Sequence, residues 1–335
     1  MNSGTRITCA LVALLAASVR CTGPVDPEPL QRFDTCSDLE LYLEDQILHP
    51  GVVADTGTSG LTGCTSADEL RSPREPTPGA PAFTSTTTDV PGVDEPDFVK
   101  NDGRFIYVLR RGEMKIANAW PADALAVVSS TPIAGAPFSL FVDGDRALVL
   151  SRPISAAADA RARRTQVALF DLGADRTAPV KLRETTIDGD FVDARASDGR
   201  IVVVTRSLVA KDVDIDTSPF ADEAANRAKL RAAGIAGLLP RVTDLVVGQD
   251  AAARTDAAVA CENTFAPSKS DGHSMLLVIA FDLRHADAPL RSTGIVAGFA
   301  HVHATASTIV LAATETHDGG YFTPPFSTTR LHVLD

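Results

Sequence analysis

Cationic charge is scarce in this chain. Against 43 Asp and Glu stand only 31 Lys and Arg in 335 residues, a formal net charge of −12. With no general positive field to attract a phosphate backbone, the balance argues against a nucleic-acid partner. Long hydrophobic runs are missing too, since no stretch reaches the ~18 apolar residues that a membrane-spanning helix needs. Cysteines number five, too few for a small scaffold stapled by many disulfides. No second cysteine stands two to four residues from another, which argues against structural zinc. Nor is there a Gly-x-Ser-x-Gly elbow to expose a serine nucleophile, or a glycine loop ending in Lys and Ser or Thr to cradle phosphates. What is present is apolar residue in quantity, 44% of the chain, enough to bury a large core.

The first residues read as an export signal, residues 1–21. Arg6 supplies the positive end, Ile7 to Val19 form an apolar stretch, and the small residues Ala16, Ala17 and Ser18 follow near a cleavage point. A buried core helix is the competing reading, but charge, length and the order of small residues fit the signal better. Cys21 is a candidate lipid anchor, although Arg20 and Ser18 stand where a lipobox wants a small residue and usually Leu. That would be the chain's only route to a membrane. The expected address is therefore outside the cytoplasm: extracellular, periplasmic or attached to the cell envelope. Cys36, Cys64 and Cys261 are then disulfide candidates, with Cys36–Cys64 the preferred pair and Cys64–Cys261 the alternative.

Within an N-terminal helical segment, 22–50, Thr35 and Asp38 mark a helix start, and Leu39, Leu43 and Ile47 share one face, predicting a helix over 36–48. Residues 51–90 are rich in Gly, Ser, Thr and Pro without hydrophobic period and read as a linker. Residues 91–335 are organised differently. Asp102-Gly103, Asp143-Gly144 and Asp198-Gly199 each lie between a short apolar run and a β-rich run, and Asp-Gly in that setting signals a hairpin. A further strand type ends each unit's middle: Lys115 to Asn118, Val167 to Leu172, Leu276 to Leu283 and Leu331 to Asp335. The reversals at 102 and 143 lie 41 residues apart, and those at 143 and 198 lie 55 apart. Four-stranded propeller blades repeat at ~40–50 residues. The fold expected is therefore an all-β propeller of about three and a half four-stranded blades. Residues 207–266 interrupt the third unit, and Ser218, Pro219, Asp222 and Glu223 predict a helix there over about 219–233.

These motifs resemble the exported prokaryotic β-propeller-domain family, which is distantly related to WD-repeat propellers. The resemblance rests on Gly92-Val93-Asp94-Glu95 with Asp97, Lys100 and Asp102-Gly103, on Phe33 and Cys36, and on Gly189-Asp190-Phe191 with Arg195. Asn226-Arg227, Leu239-Pro240-Arg241 and the stretch from Cys261 to Asp282 extend it. It implies more blades than the sequence holds, so the chain is expected to be an incomplete copy of a longer protein. Failing that, its open blade edges would self-associate or take a partner, or the chain would be a decayed remnant.

Residues with chemistry are few. Asp94, Glu95 and Asp97 are candidate ligands for a hard cation such as calcium, but without EF-hand spacing the favoured reading is that they hold the turn before the first blade. No cofactor is therefore expected. His301 and His303 share a strand face without an identifiable third ligand. Arg161, Arg163 and Arg164 form a basic cluster that reads as a solvated loop. No catalytic residue is assigned. The expected function is an extracytoplasmic binding or scaffolding module for a protein or glycan partner. It would act through the connections at 152–165, 207–266 and 314–328, which join equivalent strands and so emerge on one face. A propeller enzyme of hydrolase or lyase type and a structural cell-envelope protein are the alternatives.

Overall fold

A computed structural model describes residues 30–49, 92–154, 163–218, 220–248, 252–267, 273–298, 300–305, 308–317 and 326–334. The signal segment, Cys21, Cys64, the 51–90 linker, Arg161 and Pro219 lie outside the described residues.

The described chain opens with strand β1 (Gln31–Arg32) and helix α1 (Cys36–Leu48). The helix starts where the sequence predicts because the Thr35 hydroxyl accepts from the Asp38 amide at 3.1 Å. Its Leu39 and Leu43 are fully buried. Strands β2 (Val99–Asn101), β3 (Phe105–Arg110), β4 (Glu113–Asn118) and β5 (Ala126–Pro132) then form an antiparallel sheet in chain order, the first blade. The second blade repeats the pattern with β6 (Ala136–Asp143), β7 (Arg146–Arg152), β8 (Arg164–Asp171) and β9 (Val180–Asp188). The third begins with β10 (Asp190–Ser197) and β11 (Arg200–Leu208).

Before the third blade resumes, the chain makes helix α2 (Glu223–Leu238) and strands β12 (Arg241–Val246), β13 (Arg254–Ala257) and β14 (Thr264–Ala266). Strands β15 (Ser274–Asp282) and β16 (Arg291–Val296) then complete that blade. A last sheet holds β17 (Ala300–Ala304), β18 (Ile309–His317) and β19 (Phe326–Leu334). The architecture is an all-β propeller of three blades and part of a fourth, whose ring is not closed among the described residues.

Although alike in sequence, the three Asp-Gly reversals are built differently. Between β10 and β11 both Asp198 (φ 47°) and Gly199 (φ 73°) take left-handed backbone, as a two-residue hairpin of primed type requires. Between β6 and β7, Asp143 pairs with Arg146, so the loop is Gly144-Asp145 and only the glycine has positive φ. The first reversal relies on a side chain: Asp102 Oδ1 accepts from the amides of Arg104 and Phe105 at 3.0 and 2.7 Å.

Strand β11 pairs directly with β15 from Arg200–Asp282 to Leu208–Ser274, so the interruption runs from 209 to 273, longer than predicted. Its helix starts at Glu223, later than the predicted 219, because the Asp222 carboxylate caps the Ala225 amide at 3.2 Å. Gly234 (φ 59°) then kinks it where the prediction ended it, and the last turn continues to Leu238. Two strands of the interruption serve a neighbour. β12 pairs with β9 and β13 with β12, widening the second blade to six strands and covering its outer edge. β14 instead pairs in parallel with β16 and takes β1 on its far side.

Middle strands of the blades are buried on both faces, which explains their unbroken apolar runs. In β7, Ala147 and Val149 face the core between blades one and two, while Leu148 and Leu150 face the core between blades two and three. A third core, with Leu276, Ile295 and Leu311, joins the third blade to the last sheet.

Neither predicted cysteine pairing occurs. Cys36, at the first turn of α1, is bonded to Cys261, with Cα atoms 5.2 Å apart across 225 residues of sequence. The reason is packing: α1 lies against α2, and the Glu44 carboxylate, 1% exposed, faces Arg227 and Arg231 at 3.3 and 3.2 Å. The N-terminal helix therefore docks on the interruption, bringing Cys36 to the short 3-10 turn at Cys261–Asn263. Peptide mapping without reductant should recover Cys36 linked to Cys261, and a Cys36–Cys64 peptide would contradict this packing. Replacing both Cys36 and Cys261 by Ser should lower stability by about 2–5 kcal/mol, read as a shift in urea midpoint.

Candidate functional site

The acidic motif becomes a strap across the centre of the propeller. Asp94 exchanges two backbone hydrogen bonds with Ala196 on β10, at 2.7 and 2.9 Å. Asp97 does the same with Leu140 on β6, at 3.4 and 2.7 Å. Strands β6 and β10 are the inner edges of the second and third blades, and the chain then enters β2 of the first. A few consecutive residues thus touch three blades and occupy two open strand edges.

Internal partners serve the strap's carboxylates. The Lys100 ammonium, 5% exposed, donates to Asp94 Oδ1 at 2.7 Å and to the Glu95 carbonyl at 2.6 Å. It also sits 5.8 Å from the centre of the Phe141 ring. Glu95 faces Arg195 at 3.6 Å, and Arg195 also pairs with Asp193. Burial pushes the Asp193 carboxyl up, partly offset by Arg195. Asp97 Oδ1 accepts from the Phe98 amide at 2.7 Å. The Lys100 ammonium thus stands against the carboxylate of Asp94, one of the three candidate cation ligands. Among the described residues, no group of three or more His, Cys, Asp and Glu is placed to hold one.

At the hairpin end of blades one and two, Arg176 (φ 63°, 6% exposed) forms a second polar centre that the sequence did not reveal. Its guanidinium donates to the Tyr107 hydroxyl at 2.9 Å, Asp145 at 2.6 Å, the Gly144 carbonyl at 3.0 Å and the Gly173 carbonyl. The Tyr107 hydroxyl donates in turn to Asp102 at 2.6 Å. Burial and the Asp102 carboxylate push the Tyr107 hydroxyl well above the ordinary phenol range. Burial would also raise Asp102, but the bonds from Tyr107 and the amides of Phe105 and Arg104, with the Arg176 charge, outweigh it and hold the carboxyl below 3.8. Arg183 plays a matching part between blades two and three: it grips both oxygens of Asp244 and donates to the carbonyls of Ala286 and Ala288.

Between the first two blades lies a cavity of about 210 Å³. Ile133, Ala168 and Phe170 line it together with Ser151, Gln166 and Glu184. Gln166 stands at an inward position of β8, in step with Ala168 and Phe170, where alternation expects an apolar residue. That mismatch was the available signal.

Other candidates separate. His301 and His303 are exposed on β17, opposite Ala312 and Val310. Arg163 pairs with Asp190 at 3.0 Å and Arg164 with Asp188 at 3.2 Å. Parts of the connections at 152–165 and 314–328 lie outside the described residues. Of what is described at the first connection and in the interruption, Ile154 and Phe220 are 84% and 96% exposed.

A family model described as Beta propeller domain matches residues 83–334, about three quarters of the sequence. The chain belongs to the β-propeller domain family. The match begins before the strap and includes every strand from β2 to β19. No curated protein matches the chain, and no solved structure does either.

Two substitutions test the polar centres of this propeller. Lys100→Met takes the ammonium away from Asp94, whose Oδ1 keeps the Glu95 amide, and from the Glu95 carbonyl, and should cost about 1–3 kcal/mol, measured by urea unfolding. Tyr107→Phe should cost a similar amount at neutral pH, and the cost should shrink in acid. The sign follows from Asp102: its folded value is depressed, so its contribution is present above 3.8 and lost as the pH falls through the lower folded value. Unfolding curves for both proteins at pH 7 and about pH 3 measure the difference. A pH-independent cost would contradict the Tyr107–Asp102 bond.

Proposed function

We propose that this β-propeller is an exported binding or scaffolding module for a protein or glycan partner. The observation that carries the reading is the placement of exposed apolar side chains. Ile154 begins the β7–β8 connection and Phe220 lies in the long β11–β15 connection, at 84% and 96% exposure. Both connections join the second and third strands of their blades, so a propeller delivers them to one face. Keeping a phenyl ring almost wholly in water is unfavourable in the free protein and is relieved when a partner covers it.

Rigidity supports the same reading. The interruption that carries Phe220 is tied to α1 by the Cys36–Cys261 bond and to the second blade by β12. A surface held this way loses little freedom on binding. The same disulfide suits an oxidising compartment outside the cytoplasm, in keeping with the signal-like residues 1–21.

The test uses the purified chain carrying Ile154→Asp and Phe220→Asp. Binding of the parent to immobilised glycans and to surface-protein extracts is measured by interferometry, with concentration dependence. The double variant should unfold at the same urea concentration and bind its partner at least tenfold more weakly. Equal binding by parent and variant would overturn the assignment to this face.

A further inference from the structure

We propose that the cavity between blades one and two holds a single sugar residue, a neutral, ring-shaped polyol. This rests on the binding-module reading and narrows its glycan option.

The polar wall is a chain of side chains from three adjacent strands. Ser151 Oγ on β7 donates to Gln166 Oε1 on β8 at 3.2 Å. Gln166 Nε2 donates to Glu184 Oε1 on β9 at 2.8 Å, and the Lys181 ammonium pairs with the other Glu184 oxygen. Ser151 is 1% exposed and Gln166 7%, so these are buried polar groups at the wall of a cavity that opens partly to solvent. An amide has two N–H donors and an oxygen with two lone pairs. The bonds made here use one donor and one lone pair of Gln166, and two of the three Lys181 donors are unused among the described residues. The wall thus still offers donors and acceptors side by side, as vicinal hydroxyls demand.

Charge selects the ligand class. Glu184 and Lys181 neutralise each other, leaving the wall without net charge, so an anionic phosphate or a carboxylate gains nothing by entering. Beside the wall, Phe170 follows Gln166 on the same face of β8, and Ile133 comes from the end of the first blade, so the two give the cavity an apolar part suited to the C–H face of a sugar ring. Size agrees. About 210 Å³ corresponds to roughly seven waters at ~30 Å³ each, and falls below the ~300 Å³ where sites for drug-sized ligands begin. One ring fits and an oligosaccharide does not, so longer chains would enter by one terminal residue. Position also agrees, because Ser151 and Gln166 lie at the end of their strands that feeds the β7–β8 connection. That is the face bearing Ile154.

The experiment is saturation-transfer NMR and calorimetric titration of the full chain with glucose, galactose, mannose and N-acetylglucosamine, each at millimolar concentration, with inorganic phosphate as the charged comparison. At least one neutral sugar should bind saturably while phosphate does not. Gln166→Met, nearly equal in volume, should keep the urea midpoint within the range of a conservative core change and weaken sugar binding at least tenfold. Ala168→Phe, which fills the cavity, should abolish it, and if that variant fails to fold, Gln166→Met alone decides. No saturable binding of any of the four sugars, or equal binding by Gln166→Met, overturns the proposal. Partner capture that depends on Phe220, with no sugar bound, would sink this inference while leaving the binding-module reading intact.

Discussion

The strap from Val93 to Phe98 is the constraint on which the rest of this propeller depends. A blade is a small sheet with two edges, and each inner edge presents unpaired N–H and C=O groups. Backbone bonds from Asp94 to Ala196 and from Asp97 to Leu140 satisfy part of that need on the third and second blades before the chain starts the first. The strap's carboxylates lie within a few residues of one another and would repel if left alone. Lys100 and Arg195 resolve the repulsion from within, and Asp94, Glu95 and Lys100 form a closed arrangement. Asp94 and Glu95 thereby have ion-pair partners within the protein.

From that centre outward the blades are held by alternating apolar and polar layers. Each middle strand gives one set of side chains to the core on its left and the other to the core on its right. Near the ends of the strands, where water reaches, buried arginines take over. Arg176 gathers the hairpins of blades one and two, and Arg183 ties β9 and β12 to the β15–β16 connection. Arginine suits both places because its planar fork reaches several acceptors at once. The cavity at Gln166 lies where the apolar layer gives way to polar side chains, and a void at such a place keeps hydrogen-bonding capacity that a dry core lacks.

Much of this was legible in the sequence because it is local. Asp-Gly reversals, the Thr35-capped helix and the apolar runs of β7, β8 and β15 announce themselves within a few residues. What was hidden depends on distant partners. Cys36 finds Cys261 only because α1 packs on α2, and no spacing rule anticipates that. Strand β12 looks like part of the third unit but pairs with β9, since an exposed outer edge attracts whichever strand the fold brings near. Arg176 is a single arginine in a turn-rich stretch, and its role arises from three elements far apart in sequence. Gln166 was visible as a polar residue out of phase with its strand, yet only the three-dimensional arrangement shows the space beside it.

The central claim is that the strap fastens three blades as one unit. Native-state hydrogen exchange tests it most directly, through the amides of Asp94, Asp97, Leu140 and Ala196, which donate the strap's bonds. They should exchange only with global unfolding, as slowly as the amides of β7 and β15 and with the same dependence on urea. Exchange through a smaller, urea-independent opening, while β7 and β15 stay protected, would show that the blades hold together without the strap and would contradict the account.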